Sequence, residues 1–260
     1  AAPGGNLTFA ISVDSQCIDP QQVGNNDAIA IARQTVASLT TQDPQTGDIL
    51  PWLAESWTVN DDATSFTFTL REGATYADGA PIDAASVKTN FEAIQALGAK
   101  ATLGSSYLAG LKSIEVADPR TVTVDFSAPS AQFLQATSTF TLGLLSPATA
   151  SVSQADRCLG KIVGSGPFSV QSYTPNQGAV LERRTGYTWA PPTAAPKAAA
   201  NRGAGGSSRV NCCRCPTSRS RSGPATASSS PTVTSAGRST GRSASSTDSR
   251  NTVDRCGRAR

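Results

Sequence analysis

The chain has 260 residues, a formal net charge of +3 and 38% hydrophobic residues, an ordinary composition for a globular protein of one or two domains. No run of about 18 or more apolar residues occurs, so the sequence predicts no membrane-spanning helix. The charge is unevenly distributed: residues 1–196 contain 10 basic and 17 acidic residues, whereas residues 197–260 contain 12 basic and 2 acidic residues. Residues 1–196 are therefore acidic overall, and residues 197–260 are basic.

Strand and helix patterns begin close to the N-terminus. The segment NLTFAISV alternates apolar and polar residues with the period of two that is typical of a strand buried on one face. Its apolar positions are Leu7, Phe9, Ile11 and Val13. A loop, DSQCIDPQQVGNN, follows, in which Pro20 and Gly24 discourage regular structure. The next segment, DAIAIARQTVASL, predicts a helix with Asp27 as its N-cap.

The most regular pattern lies between residues 51 and 98. Phe66, Phe68 and Leu70 alternate with polar residues, which predicts a strand with one apolar face. Asp83 can cap a helix whose apolar residues recur at helical spacing. These apolar residues are Val87, Phe91, Ile94 and Leu97.

Two pairs of strands and a short helix are predicted further along. Alternating apolar residues on both sides of the turn ADPR, at positions 114–126, predict a hairpin. The segment SAQFLQAT predicts a short helix, and GPFSVQSY and GAVLERR predict two strands separated by the turn composition TPNQG. Residues 1–196 therefore read as an α/β mixture of strands and helices.

Residues 197–260 have a different composition. They contain no Leu, Ile, Phe, Tyr or Trp, and their larger aliphatic residues are Val210, Val233 and Val253. Ordering a residue costs about 1 to 2 kcal/mol of conformational entropy, which such a segment cannot offset by burying apolar surface. The sequence therefore predicts a folded domain at 1–196 and a basic, disordered tail at 197–260.

Four motifs occur in a characteristic order: LAESW, TFTLREGATYADGAPIDAASVKTNFE, VADPRTVTVDFSAPSAQFL and VGSGPFSVQSY. Together they resemble the extracytoplasmic solute-binding proteins of the peptide/nickel class, family 5, which deliver ligands to ABC importers. The resemblance covers Gly5 to about Pro192, and members of the family are more than twice this length. We expect a match to the N-terminal portion alone. The large apolar residues in and directly before the first two motifs are expected to pack in the core rather than contact a ligand: Trp52, Trp57, Phe66 and Phe68.

The resemblance implies a periplasmic-binding-protein-like fold of class II, here incomplete, with the first lobe and its appended subdomain. In the family, two lobes close over a peptide or other small solute, and the first strand-to-helix loop contributes to the ligand cleft. The corresponding positions here are Gly24, Asn25 and Asn26. The alternative is a solvated loop that caps the next helix. With one lobe encoded, we expect impaired ligand binding.

The resemblance also implies partners and a location. The implied partners are a small solute and the ABC transporter permease subunits in the membrane, with no specific nucleic acid and no cofactor, and the protein itself is expected to be a monomer. The chain begins with AAPGGN and without Met, which suits an extracytoplasmic protein, secreted or lipid-anchored, whose signal peptide has been removed.

The cysteines divide into two groups. Cys17 and Cys158 lie in the acidic part, and an oxidising compartment favours a disulfide between them, the alternative being two separate buried thiols. The tail group Cys212, Cys213 and Cys215 lacks the paired CxxC spacing of a zinc site, and the chain has no His. We therefore predict no metal site.

Two explanations remain open for the tail. It is either a natural basic segment that attracts anions, or the product of a wrong reading frame in a GC-rich gene. Back-translation favours the second, because permitted codons for VNCCRCPTS read one nucleotide earlier allow ELLPLPDE. The tail's eleven arginines have no interleaved aromatic residues, so any nucleic-acid binding would be nonspecific.

The remaining functional class to consider is an enzyme. Ser165 lies in a GSG segment rather than in the GxSxG elbow of a hydrolase, and the chain has no His to act as its base. The sequence therefore predicts a binding protein without catalytic residues.

Overall fold

A computed structural model describes residues 5–14, 16–194 and 208–214. Strands and helices are mixed along these residues, which confirms the predicted α/β class. The strands are β1 (Gly5–Ile11), β2 (Thr40–Gln42), β3 (Ile49–Pro51), β4 (Ala54–Val59), β5 (Ser65–Leu70), β6 (Leu111–Asp118), β7 (Thr121–Phe126), β8 (Phe168–Thr174), β9 (Gly178–Arg183) and β10 (Ser208–Arg214). The α-helices are α1 (Asn26–Thr35), α2 (Ala84–Leu97), α3 (Thr102–Tyr107), α4 (Phe133–Ala136) and α5 (Gln154–Cys158).

The strands form three sheets. One has four antiparallel strands in the order β4-β5-β7-β6, and another has the order β1-β10-β9-β8. The third is the short pair β2-β3. The predicted hairpin β6-β7, the two predicted strands β8 and β9, which pair with each other, and the short helix α4 are confirmed. No helix among the described residues is long and apolar enough to cross a membrane.

The main core lies between the β4-β5-β7-β6 sheet and α2. Phe66 and Phe68 of β5 are buried opposite Val124 and Val122 of β7, as the alternation of β5 predicts. Phe133 of α4 makes edge-to-face ring contacts with four other phenylalanines, at centroid distances of 4.7 to 6.3 Å. Such ring pairs add stabilisation beyond the burial of their area. These contacts therefore hold the β4-β5-β7-β6 sheet, α2 and α4 together.

Helix α2 begins as its sequence predicts. The Asp83 side chain accepts a hydrogen bond from the backbone N–H of Ser86 at 2.8 Å, and the Ser86 hydroxyl accepts one from the backbone N–H of Asp83 at 3.1 Å. This reciprocal arrangement is a capping box, which satisfies two backbone donors at the helix start. The buried Tyr76 hydroxyl donates to Ser86 Oγ at 2.9 Å and fixes the cap against the core.

The start of α1 differs from the prediction. The N-cap is Asn25, whose Oδ1 accepts a hydrogen bond from the backbone N–H of Ala28 at 2.9 Å. Asp27 lies inside the first turn, where its carboxylate accepts a hydrogen bond from the Ser12 hydroxyl at 2.9 Å. The prediction of Asp27 as the N-cap was therefore wrong, because the Asn25 side chain already accepts a hydrogen bond from a backbone N–H of the first turn.

The predicted burial of β1 is also wrong. Leu7 and Phe9 are 63% and 50% exposed, although the segment does form a strand. β1 lies at the edge of its sheet and pairs with β10 alone; Ile11 at its end packs against the cluster of Ile18 and Ile31, whereas Leu7 and Phe9 stay exposed. Periodicity indicates which residues share a face but not whether another element packs on that face.

One segment of the predicted tail, Ser208–Arg214, is among the described residues. This segment forms β10, parallel to β1 and antiparallel to β9. Strand pairing uses backbone groups, so a segment poor in apolar side chains can still join a sheet between two neighbours. Residues 195–207 and 215–260 lie outside the described residues, and the domain boundary at 196 stays a prediction.

A disulfide and an ion pair fasten the loop after β1 to α5. Cys17 and Cys158 are joined, with their Cα atoms 4.1 Å apart, and the backbone N–H of Ile18 donates to the Cys158 carbonyl at 3.0 Å. Next to them, Arg157 Nε lies 2.8 Å from Asp19 Oδ2, and both side chains are buried. These contacts link parts of the chain that are 141 residues apart in sequence.

Candidate functional site

Two adjoining cavities open beside the C-terminal end of α1. The first has a volume of about 420 Å³ and lies between α1, β2, the end of β9 and the segment 187–193. The second has a volume of about 430 Å³ and lies between α1, β2, α3 and residues 138–141. Arg33 and Thr41 line both cavities. The two cavities therefore meet at these side chains.

The indole of Trp52 forms part of the wall of the first cavity. Trp52 lies between β3 and β4 and is 3% exposed, which confirms the expected core packing. Its Nε1 donates to the carbonyl oxygen of Trp189 at 2.9 Å and lies 3.2 Å from the Tyr187 hydroxyl. Because a buried indole N–H requires an acceptor, these bonds hold the ring in one orientation.

Arg33 packs on this ring. It lies in the last turn of α1, and its guanidinium carbon is 4.6 Å from the centre of the Trp52 ring. Its Nη1 donates to Ser38 Oγ at 2.9 Å, and Ser38 Oγ donates to the Thr139 carbonyl at 2.8 Å. Burial lowers the pKa of Arg33 to about 10, with a smaller opposing effect from Tyr187. The side chain stays protonated at neutral pH.

Tyr187 brings a hydroxyl into a positively charged region. Burial raises the pKa of Tyr187, while the hydrogen bond from Trp52 and the charges of three arginines act in the opposite direction. These are Arg184, Arg71 and Arg33. The hydroxyl is therefore neutral at physiological pH and faces several guanidinium groups.

Arg184 has a structural role beside the first cavity. Its guanidinium donates hydrogen bonds to the carbonyls of Gly166 at 3.1 Å, Thr75 at 3.0 Å and Tyr76 at 2.7 Å. It also lies over the Trp189 ring at 5.4 Å. These contacts attach the segment that follows β9 to the main core.

The lining of the two cavities is positively charged. Arg33 and Arg183 line the first cavity, and the described residues of the two linings include no Asp or Glu. The other polar groups that line the two cavities are mostly hydroxyls and amides. Such a lining can donate hydrogen bonds to anionic or neutral oxygens of a small solute.

The predicted ligand residues lie at the opposite end of α1. Gly24, Asn25 and Asn26 are exposed, and none of the three lines either cavity. The Asn25 side chain caps α1, and the Leu103 side chain, which lines the second cavity, lies beside Gly24. Their role as ligand contacts stays a prediction.

Sequence patterns did not identify Arg33, Trp52 and Tyr187 as neighbours. Trp52 was interpreted as a core residue, and Arg33 was one polar position in a helix pattern. The available signal was the aromatic segment GYTW, which lies shortly after the two arginines that end the predicted strand GAVLERR. Its contact with Trp52 spans more than 130 residues of sequence and therefore depends on the tertiary fold.

Ser165 has no free hydroxyl for nucleophilic chemistry. It is fully buried, its Oγ accepts a hydrogen bond from the backbone N–H of Ala37 at 2.8 Å, and it donates to the Leu144 carbonyl at 2.7 Å. This residue joins two backbone segments. Among the described residues, no cluster of three or more His, Cys, Asp or Glu side chains could hold a metal ion.

Comparison with known families decides the assignment. The model of bacterial extracellular solute-binding proteins, family 5 Middle, matches residues 48–204, which is more than half of the chain. The chain belongs to this family. The resemblance predicted from the four motifs is thereby confirmed, and family 5 is a family of binding proteins.

Individual family 5 proteins show how much of the fold is shared. The chain is 32% identical over 189 residues to the probable D,D-dipeptide-binding periplasmic protein DdpA of Escherichia coli, covering 70% of this chain and 36% of DdpA. It is 28% identical over 194 residues to the glutathione-binding protein GsiB of Salmonella paratyphi A, covering 70% of this chain and 35% of GsiB. The chain thus spans about a third of the length of these relatives.

A solved structure also matches the chain over about a third of its own length. The periplasmic binding protein AgaA of A. tumefaciens, in complex with agropinic acid, is 28% identical and superposes with a TM-score of 0.61. The superposition covers 69% of this chain and 36% of AgaA. The described fold is therefore a portion of the family 5 fold, as the sequence predicts.

Proposed function

We propose that this chain belongs to the substrate-binding component of an ABC importer and captures peptides or related small solutes in the two cavities beside α1. The observation that carries the proposal is the junction of the cavities at Arg33, where a cation, the Trp52 ring and hydroxyl groups face the same space. Cavities of about 300 to 1,000 Å³ with a few placed polar groups are typical of small-molecule sites.

The ligands of the relatives support this class of solute. DdpA is described as binding D,D-dipeptides, GsiB as binding glutathione, and AgaA was solved with agropinic acid. All three ligands are small solutes rich in oxygen acceptors. The arginines and hydroxyls of the two cavities supply matching donors.

The location and the partners follow from the same proposal. A solute-binding protein of an importer acts outside the cytoplasm, and the family description names its members extracellular. We propose that the chain acts as a monomer, after removal of a signal peptide, and delivers its solute to the permease subunits. A disulfide between Cys17 and Cys158 suits such an oxidising compartment.

We propose binding as the role of this site. Among the described residues, the polar groups that line the cavities are guanidinium, amide and hydroxyl groups, which suit hydrogen bonding to a solute. Gly24, Asn25 and Asn26 are kept as further candidate ligand contacts, because their exposed loop leads directly into α1.

Calorimetry with a blocked cavity tests the proposal. The chain is titrated with dialanine, with glutathione and with a sugar opine, and, in line with the impaired binding expected from the sequence, we expect weak but saturable heat from at least one of them. Ile29→Trp should reduce this binding, because Ile29 is 36% exposed and lines the second cavity. Val59→Trp is the matched control, at a 39% exposed position on β4 that lines neither cavity. Absence of saturable heat with the whole panel, or equal loss in both variants, contradicts the proposal.

A further inference from the structure

We propose that the solute carries a carboxylate and that Arg33 is the residue that binds it, on the support of the Trp52 ring. This inference rests on the proposed function and makes it more specific, because it names the chemical class of the solute. It also distinguishes Arg33 from the other arginines near the cavities. The argument depends on the partners of Arg33, on the charge of the lining and on the geometry of the guanidinium group.

Arg33 lacks a carboxylate partner within the part of the chain that the structure describes. Its guanidinium makes one hydrogen bond there, from Nη1 to Ser38 Oγ. A guanidinium has five N–H donors, so most of its donor capacity remains for another group. Because Arg33 lines both cavities, these donors have access to a solute in either of them.

Other arginines of comparable burial or position are paired differently. The buried Arg157 lies 2.8 Å from Asp19, and Arg120 makes ion pairs with Glu55 and Glu72. Arg184 is engaged with backbone carbonyls. Arg33, by contrast, is partly buried, and the hydrogen-bond partner of its guanidinium among the described residues is the Ser38 hydroxyl.

Burial of the Arg33 charge has a cost that a ligand can offset. Desolvation disfavours the charged form of an arginine, which is why the pKa of Arg33 falls to about 10. A carboxylate in contact with the guanidinium favours the charged form again. An anion is thus the solute group that gains most from contact with Arg33.

The surrounding charges favour the same ligand class. Arg183 also lines the first cavity, and the Tyr187 hydroxyl there interacts with the charges of Arg71 and Arg184. Because the charged residues that the structure describes in this lining are Arg33 and Arg183, the field in the cavity attracts anions and repels cations. A solute that presents a carboxylate here therefore meets complementary charge.

The geometry favours a planar carboxylate. The guanidinium is planar and can form two parallel hydrogen bonds to the two oxygens of a carboxylate. Its contact with the Trp52 ring at 4.6 Å and its bond to Ser38 fix its orientation before a solute arrives. A guanidinium that is already oriented loses less conformational entropy on binding than a mobile side chain does.

The first test observes Arg33 itself. The whole chain is labelled with nitrogen-15 arginine, the Arg33 Nε–Hε resonance is assigned from the spectrum of Arg33→Lys, and acetate or acetamide is added. We expect acetate to shift the Arg33 resonance saturably and acetamide to leave it in place. Equal responses to acetate and acetamide would overturn the proposal.

The second test separates this inference from the proposed function. Dialanine and its C-terminal amide are titrated into the natural chain, Arg33→Gln, Arg33→Lys and the control Arg120→Gln, which removes an arginine from an exposed ion-pair group. We expect Arg33→Gln to weaken dialanine binding roughly 10- to 150-fold, the range of a hydrogen bond to a charged group, and to leave amide binding unchanged. Arg33→Lys keeps the positive charge but lacks the planar guanidinium, so its affinity for dialanine should lie between those of the natural chain and Arg33→Gln.

The outcomes differ for the two proposals. If the acid and the amide bind equally well to the natural chain and to Arg33→Gln, solute capture stands and the role of Arg33 is wrong. If no dipeptide binds but acetate still shifts the Arg33 resonance, the anion site stands and dipeptide capture is wrong. Thermal unfolding of each variant identifies one that fails to fold, in which case the acetate titration of the natural chain decides.

Discussion

Trp52 Nε1 donates a hydrogen bond of 2.9 Å to the carbonyl oxygen of Trp189, across 137 residues of sequence. The bond holds the segment after β9 against the end of β3. The two walls of the first cavity are therefore joined by the same indole that supports Arg33.

The first prediction concerns this indole. Trp52→Phe keeps an aromatic ring but removes the N–H, so the buried Trp189 carbonyl loses its donor, and we expect a loss of about 1 to 3 kcal/mol in the free energy of unfolding. Trp52→Ala should lose about 3 to 5 kcal/mol, because it also leaves a cavity. Urea unfolding measures both. Trp57→Phe, at a partly buried position on β4, is the control and should lose less; equal losses at the two positions would contradict the assigned role.

The second prediction concerns the disulfide. In the chain-entropy model, a crosslink between residues 141 apart stabilises the folded state by up to about 5 kcal/mol. The double variant Cys17→Ala, Cys158→Ala should therefore unfold at a clearly lower urea concentration than the oxidised chain. Dithiothreitol should lower the stability of the natural chain and have little effect on the double variant. Equal urea midpoints for the oxidised chain and the double variant would show that the bond does not stabilise the fold.

The third prediction concerns pH and Tyr76. Burial raises the pKa of Tyr76 well above the ordinary tyrosine value of 10.0. Because the pKa is raised in the folded state, the contribution to stability is complete below pH 10.0 and is lost as the pH rises toward the folded-state pKa.

Tyr76→Phe provides the measurement. The variant loses the hydrogen bond to Ser86, so it should be less stable at neutral pH, but its stability should fall less steeply above about pH 10 than that of the natural chain. Urea unfolding at a series of alkaline pH values compares the two slopes. Parallel slopes would mean that Tyr76 does not ionise with a raised pKa.

The predictable part of the fold was local. Phe66, Phe68 and Leu70 repeat every second residue, and the pattern correctly gave a strand that buries one face. The Asp83 cap of α2 was equally accessible, because its partner Ser86 is three residues away. Both features depend on residues that are close together in the sequence, so the sequence pattern alone predicts them.

The features that sequence did not reveal depend on distant partners. The apolar face of β1 could not be recognised as exposed, since exposure depends on what packs on it. The contacts of Arg33 with Trp52 and of Trp52 with Tyr187 join separate elements. β10 formed in a segment poor in apolar residues because β1 and β9 lie on either side of it. Composition alone does not contain these relationships.

The fourth prediction separates two roles of Asn25. Asn25→Ala removes the cap of α1 and should lower the free energy of unfolding by about 1 kcal/mol. Asn25→Asp keeps an oxygen acceptor at the N-cap and should preserve stability. Thermal unfolding and solute titration are compared for both variants. A loss of affinity in Asn25→Asp at unchanged stability would favour direct ligand contact, whereas unchanged affinity would leave Asn25 as a cap alone.

The most direct test of the central claim is the indole N–H resonance of Trp52 during a titration with dialanine. The chain has three tryptophans, so Trp52→Phe assigns the signal. If a carboxylate-bearing solute binds against Arg33 and the Trp52 ring, this resonance should shift saturably with dialanine, and much less with its C-terminal amide. A saturable calorimetric signal for dialanine with an unmoved Trp52 resonance would place the solute elsewhere and contradict the account.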